Sequence, residues 1–474
     1  MTDAEPQPTA DAPAVAAAAG WRNAVNISFF SDLLQSIADR GRSMIMSGRG
    51  GTAKDLAGLC GDLLSSRGEA SGVALAREIL DRYDALEDAA KAAFLRELVQ
   101  RFGAEPAALE KAIAAYREKP DHRTLLDLHK AAEPRRQELI RRLNLSPGGT
   151  LRLVRMREEL FRHQADLPEL EALDADFQHL FSSWFNRGFL VLRPIDWSTP
   201  ANILEKIIRY EAVHAIESWD DLRRRLQPAD RRCFAFFHPQ IVDEPLIFVE
   251  VALTAEIPAG IGPLLAEDRS VIDPRQATTA VFYSISNCQE GLRGISFGNF
   301  LIKQVVEELA RQLPALKNFV TLSPAPTFAS WLARERRNEA SQALTDEDKG
   351  VLDALDAQGW TQDAVRLPAV RRVLMEAAAY YYLRAKTPGG RPVDPVARFH
   401  LGNGARLERL NWLGDVSPKG LKQAHGLMVN YLYDLDDIEK NHEAFVNKGR
   451  VAAASGVRNA LRSDLPSREV VPLQ

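Results

Sequence analysis

Cysteine is scarce in this chain. Cys60, Cys233 and Cys288 are the only three in 474 residues, odd in number and widely spaced. That pattern excludes a disulfide framework and a cysteine metal cluster, and it favours a reducing compartment. A dominant charge is lacking too: a net charge of −4 offers none of the basic excess that nucleic-acid binding requires. No run approaches 18 apolar residues, so no membrane span is expected. With 46% hydrophobic and 26% charged residues, the chain reads as a globular protein too long for one ordinary core. Two or three domains are expected.

The start, MTDAEPQPTADAPAVAAAAG, is rich in Ala and Pro and has no basic residue. It has neither the positive region of a signal peptide nor the arginines of a mitochondrial address, and residues 1–20 read as a disordered leader. The last five residues, VVPLQ, are not a peroxisomal signal. Residues 456–474 read as a tail.

Residues 21–187 have a helical pattern. Leu75, Ile79, Tyr83 and Leu86 recur at helical steps, as do Phe94, Leu95, Leu98, Val99 and Phe102. Gly103, Lys119-Pro120 and Ser146-Pro147-Gly148-Gly149 punctuate the run. An all-α bundle serving as scaffold or oligomerisation surface is expected, with no catalytic constellation in it. Arginines cluster at 135–136, 141–142 and 152–157 among acidic residues, which reads as a solvated helix face or a subunit contact.

Past Gly188 the texture changes to short apolar runs rich in β-branched and aromatic residues: FLVLRPI, CFAFFHP, PLIFVEVALT, TTAVFYSIS and KNFVTLSP. Asp243-Glu244-Pro245 suggests a hairpin turn between two of them. Residues 345–386 read as helix, and strands are expected again at Ala397–Leu401 and Gly426–Leu432. Residues 188–455 are therefore expected to form one α+β domain.

The most informative stretch is YSISNCQEGLRGISFGNFLIKQVVEEL, residues 283–309. An apolar strand ends at Ile285, three glycines follow at 291, 294 and 298, and an amphipathic helix comes next. A glycine turn feeding a helix N-terminus directs backbone N–H groups outward at the positive end of the helix dipole, which suits a phosphate. Arg293-x-x-Ser296-x-Gly298 approximates the R-x-x-G-x-G/A loop of acetyltransferase-type folds, with Ser296 in place of a glycine. Cys288 reads as a small residue packed beside that loop, not as a nucleophile.

Two further blocks are FVTLSPAP (319–326) and the segment DPVARFHLGNGARLERLNWLGDVSPKG, which runs on to HGLMVNYLYDL. Together with the glycine-turn stretch and the region from FLVLRPIDWSTP to YEAVHAIESWDDLRRRL, they resemble the malonyl-CoA decarboxylase family over most of residues 185–450. The resemblance implies a GNAT-like fold with a mixed sheet for the second domain. It implies conversion of malonyl-CoA to acetyl-CoA and CO2, in fatty acid or malonate metabolism. It also implies a homo-oligomer, dimer or tetramer. Eukaryotic members are organellar, so the missing address signals suggest a cytoplasmic version.

Losing CO2 from a malonyl thioester leaves a carbanion stabilised as the enolate. The site must hold the malonyl carboxylate, stabilise the enolate oxygen and protonate carbon. The thioester is itself the electron sink, so neither metal nor organic cofactor is expected. The resemblance makes Ser323 and His400 the catalytic pair, with His400 as proton donor. Ser323 would bond the malonyl carboxylate or the thioester and orient the histidine. Taken alone, a serine before Pro324 is a turn residue and a histidine after Phe399 is a core or strand residue. Membership of two matched blocks sets them apart.

Arg293, Gly294, Ile295, Ser296, Phe297, Gly298 and Asn299 are expected to meet the pyrophosphate, mostly through backbone N–H groups. Asn403, Asn411, Asp415, Asn430 and Tyr431 are secondary candidates, to line the acyl pocket, order His400 or satisfy turns. His442, in a charged run, reads as surface. Two other readings share these residues: an acyl-CoA-dependent acyltransferase, and a CoA-thioester-binding scaffold without turnover.

Overall fold

The computed structural model describes residues 55–65, 68–295, 297 and 301–462. The expected leader (1–20), most of the expected tail, and Ser296, Gly298 and Asn299 of the glycine loop lie outside the described residues. The chain divides into two compact units. The first takes the residues through Val191, together with His238–Glu244 and Gln289–Phe297. The second takes Leu192–Phe237, Pro245–Cys288 and the chain beyond Phe297.

The first unit is built on helices Leu56–Ser65, Glu69–Asp84, Asp88–Arg101, Pro106–Glu118, His122–Ala132, Arg135–Asn144, Gly149–His163 and Glu171–Trp184. Three of the breaks between them fall at Gly103, Lys119-Pro120 and Ser146–Gly149 as expected, and Leu75, Ile79, Tyr83, Phe94, Leu95 and Leu98 are buried as their spacing requires. The arginine clusters differ from expectation. Arg136 is buried against Asp176, and Arg157 is buried with Nε 2.7 Å from Asp174. Two of these arginines thus belong to the core, because a guanidinium can enter it only with a carboxylate and further acceptors.

The second unit carries most of the sheet. Eight strands among the described residues are β1 (Val191–Ile195), β2 (Arg231–His238), β3 (Ile241–Thr254), β4 (Thr279–Asn287), β5 (Asn318–Thr321), β6 (Ser323–Pro324), β7 (Arg406–Asn411) and β8 (Met428–Leu432). Their order is β1-β2-β3-β4-β5-β8-β6, with β7 also on β8. β4 and β5 are parallel, joined through the helix Leu301–Gln312, whereas β3–β4 and the β8 pairings are antiparallel. This mixed sheet with a strand–loop–helix–strand crossover is the GNAT-like α+β arrangement expected. One face carries a core of Ala252, Val281, Tyr283, Val320, Leu322 and Met428.

Three local expectations are corrected. The β2–β3 hairpin turns at Pro239-Gln240, and Asp243-Glu244-Pro245 lies inside β3, where Asp243 has φ 59°. Ala397–Leu401 is not a strand but part of the helix Pro395–Gly402. The strand that follows it, β7, was not expected at all. Its sequence RLERLN is rich in charge, and cross-strand pairing, chiefly with β8 and at Leu407 also with Ala453, makes it a strand.

Among the described residues no helix is long and apolar enough to cross a membrane. All three cysteines are buried, and none is in a disulfide.

Candidate active site

The site begins where the sheet splits. β4 and β5 stay paired as far as Phe282 and Thr321, and the Leu322 N–H makes one more bond to the Phe282 carbonyl. Beyond that the chain leaves β4. Pro324 has no N–H to continue a ladder, and Ser323 and Pro324 pair with Val429 and Met428 of β8 instead. Thr321 and Ser323, two residues apart, bring their hydroxyls together: the Ser323 Oγ–H donates to Thr321 Oγ1 at 2.9 Å.

His400 arrives on the last turn of the helix Pro395–Gly402. Asp394 caps that helix, accepting from the Ala397 N–H at 2.8 Å, and Pro395 starts it. Gly404 turns the chain out with φ +83°; a Cβ there would overlap the Ile438 carbonyl, so glycine is required.

The two segments meet in a buried contact: Ser323 Oγ lies 3.1 Å from His400 Nε2. The other ring nitrogen, Nδ1, is 2.8 Å from the Tyr433 hydroxyl. Tyr431 stacks on the imidazole with ring centroids 4.6 Å apart. Tyr431 and Tyr433 alternate along β8 and its extension, so one strand face supplies both contacts. The Tyr433 N–H donates to the Phe319 carbonyl, which fixes that extension to β5. With the Ser323 hydroxyl donating to Thr321, the bond to His400 needs a proton on Nε2. The Tyr433 hydroxyl then donates to Nδ1.

His400 is almost wholly buried, and burial pushes its pKa down to about 3. The ring is therefore neutral at ordinary pH, not near its titration point as the free amino acid would be.

The secondary candidates divide by role. Asn403 closes the His400 helix, its side-chain amide donating to the Phe399 carbonyl at 2.8 Å. Asn411 donates to Asn430 Oδ1 and Asn430 to the Thr321 carbonyl, both at 2.8 Å, while Arg409 Nε donates to both asparagines. This amide ladder anchors β8 to the strand end that presents Thr321 and Ser323. Asp415 accepts from the Ser417 N–H and lies on the wall of a cavity that also includes Pro324. His442, expected at the surface, is half-buried with Nδ1 2.7 Å from the Gly402 carbonyl. Thr321 and Tyr433 went unrecognised in the sequence. Tyr433 lies two residues beyond Tyr431, and the strand period was the signal available.

The described part of the glycine loop belongs to the first unit. Gly294 has φ +81°. Arg293 is exposed; its guanidinium pairs with Glu290 at 2.5 Å and lies over the Phe161 ring at 4.2 Å. The N–H groups of Arg293 and Ile295 already donate to the carbonyls of Glu290 and Leu292. Ile295 is buried and Phe297 half-buried. Among the described residues no three His, Cys, Asp or Glu side chains are grouped so as to hold a metal ion.

Residues 188–471 match the family model described as the malonyl-CoA decarboxylase C-terminal domain, and residues 102–185 match its N-terminal domain. The chain belongs to the malonyl-CoA decarboxylase family. The mitochondrial malonyl-CoA decarboxylase of Anser anser anser is 37% identical over 348 residues, 68% of this chain and 69% of that protein. The mouse mitochondrial malonyl-CoA decarboxylase is 33% identical over 354 residues, 70% of this chain and 72% of that one. Two crystal structures of malonyl-CoA decarboxylases are also similar. That from Rhodopseudomonas palustris is 60% identical with a TM-score of 0.83, covering 85% of this chain and 98% of its own. That from Agrobacterium vitis is 62% identical, also with a TM-score of 0.83, covering 86% and 100%. Ser323, His400 and Tyr433 all fall within the part of the chain matched to the malonyl-CoA decarboxylase C-terminal domain.

Proposed function

We infer that this member of the family converts malonyl-CoA to acetyl-CoA and CO2, with Ser323 and His400 at the reacting centre. The observation that carries the reading is the buried contact between Ser323 Oγ and His400 Nε2, flanked by Thr321 and Tyr433. The malonyl C–C bond breaks and its electron pair moves into the thioester carbonyl, giving the enolate and CO2. When substrate binds, the Ser323 hydroxyl turns from Thr321 to donate to the malonyl carboxylate or the thioester oxygen, while Oγ keeps the imidazole aimed at the carbon to be protonated. His400 then delivers the Nε2 proton to that carbon. Donation from the neutral ring leaves imidazolate, and a thioester enolate is a stronger base at carbon than imidazolate, so a neutral N–H suffices. The ring regains its proton from solvent, because the overall reaction consumes one.

The thioester serves as electron sink, and the reading calls for neither metal nor organic cofactor. The pyrophosphate of coenzyme A is assigned to the loop Arg293–Asn299, supported by the left-handed Gly294 and the exposed Arg293. A homo-oligomer is part of this reading. The helix His122–Ala132 buries none of its residues and leaves Leu125 and Leu126 each 52% exposed, which suits a subunit contact. Three cysteines outside any disulfide suit a reducing compartment, and the cytoplasm is the location taken.

The test is direct: the purified chain is given malonyl-CoA in the presence of a chelator, and CO2 and acetyl-CoA are quantified together. Equimolar release of both is expected. Transfer of the malonyl group to an added amine, or binding without turnover, would overturn the reading.

A further inference from the structure

The segments that carry Ser323 and His400 are joined a second time, away from the contact of the pair itself. Ser323 is followed by Pro324-Ala325-Pro326-Thr327, and two prolines of fixed φ make that segment stiff. Thr327 is the N-cap of the helix Phe328–Arg337, where a threonine oxygen ordinarily accepts from an N–H of the first turn. The Thr327 side chain makes no such bond. Its Oγ1 lies instead 2.6 Å from the hydroxyl of Tyr381, on the helix Leu367–Leu383.

Tyr381 reaches on to the other arm of the pair. Its hydroxyl is 3.3 Å from Asp394 Oδ2, and Thr327 Oγ1 is 3.5 Å from the same oxygen. Asp394 Oδ1 accepts the Ala397 N–H at 2.8 Å and so caps the helix that ends in His400. Each hydroxyl has one proton to give. The phenol, the more acidic of the two, donates to the carboxylate, and the Thr327 hydroxyl donates to the phenol oxygen. A buried carboxylate is costly unless donors surround it, and Asp394 is only 1% exposed. The Tyr381 ring is held as well, edge-on to Phe328 at 5.4 Å and against Trp331 at 4.9 Å, both on the helix that Thr327 caps.

A cap and an aromatic cluster alone would only stabilise their helices. Here the polar chain spans both catalytic segments. The Ser323–His400 contact pins them at one end, and Thr327–Tyr381–Asp394 pins them at the other. The stiff proline segment on one side and the capped helix on the other carry that second pin to the reacting groups.

We propose that Tyr381 and Asp394 are positioning residues, which set the separation of Ser323 Oγ and His400 Nε2 through Thr327 and the His400 helix. The kinetic part of the test rests on the malonyl-CoA reading above.

Tyr381→Phe keeps the ring and deletes the central hydroxyl. Asp394→Ser keeps a helix cap on a side chain too short to reach Tyr381. Rates are measured at pH 8, where the Asp394 carboxyl, pushed up to about 6 by burial, is ionised. Each variant is expected to lower kcat about tenfold, the scale of a small misplacement of reacting groups, with KM for malonyl-CoA nearly unchanged. In Ser323→Ala protein no Oγ contact is left to set, and Tyr381→Phe should change kcat less than about twofold. Wild-type kcat in both variants overturns the proposal, and so does an undiminished effect of Tyr381→Phe in Ser323→Ala protein. Asp394→Ser carries the test if Tyr381→Phe does not fold. Should the wild type release no CO2 from malonyl-CoA, the decarboxylase reading fails separately. A crystal structure of either variant then decides: Oγ and Nε2 separated by more than about 3.5 Å support the second pin. A contact kept at 3.1 Å overturns it.

Discussion

Ser323 and His400 are 77 residues apart in the chain, yet Oγ and Nε2 lie 3.1 Å apart in a buried contact. The serine comes from the end of a parallel strand, and the histidine from the last turn of a short capped helix. Each is held by a second partner of its own, Thr321 for the hydroxyl and Tyr433 for Nδ1.

Removing the outer partner tests whether the imidazole must be held at both nitrogens. Tyr433→Phe keeps the packing and deletes the donor to Nδ1, so the neutral ring can exchange tautomers. The expected result is a fall in kcat of about 10–100-fold, the usual cost of losing an orienting partner. KM and thermal stability should change little. Steady-state kinetics alongside a melting curve check this.

Ser323→Ala is expected to lower kcat by about 10²–10³-fold, by analogy with the loss of one oriented donor in a water-excluded site. Ser323→Thr keeps the hydroxyl but adds a methyl group in a buried position, and should recover part of the rate. An alanine variant as fast as wild type would remove the serine from the mechanism.

Acid should destabilise the fold in a defined direction. Burial lowers His400 to about 3 and both His214 and His425 to about 4. A histidine with a depressed folded pKa leaves the unfolded chain binding more protons below about 6.5. Its stabilising effect is complete above that pH and is lost as pH falls toward the folded values. Melting temperature should therefore drop from pH 7 to pH 5, and His425→Asn should flatten the dependence. In the free enzyme, kcat/KM should show no His400 limb between pH 5 and 8.

The first unit has its own test. Arg157 is buried, with Nε on Asp174 and Nη1 donating to the carbonyls of Gly291 and Arg293 at 2.8 and 2.9 Å. Arg157→Ala strands Asp174 and both carbonyls, and should cost about 3–5 kcal/mol. Urea unfolding measures it. Gly291→Ala should also destabilise, because a Cβ there overlaps the Val154 carbonyl.

The sequence carried the helical first unit, because apolar residues at steps of three and four need one buried face whatever surrounds them. It carried β1 to β5 through their apolar runs, and the pair Ser323 and His400 through matched blocks. Tertiary context decided the rest. Ala397–Leu401 looks strand-like as an isolated apolar run, but Asp394 and Pro395 ahead of it start a helix. β7 is charged and becomes a strand through its pairing, chiefly with β8. The hairpin turn fell at Pro239-Gln240 because Asp243, with positive φ, sits within the strand instead of ending it. Arg136 and Arg157 resemble surface arginines until their partners Asp176 and Asp174, on another helix, come into register. Tyr433 and Thr321 matter through spatial neighbours that no single motif holds together.

The most direct measurement is single-turnover formation of acetyl-CoA from malonyl-CoA by His400→Ala, made beside a titration of coenzyme A binding to the same protein. The account predicts a rate at least about 10³-fold below wild type with binding of the coenzyme preserved. Wild-type turnover by that variant would contradict it.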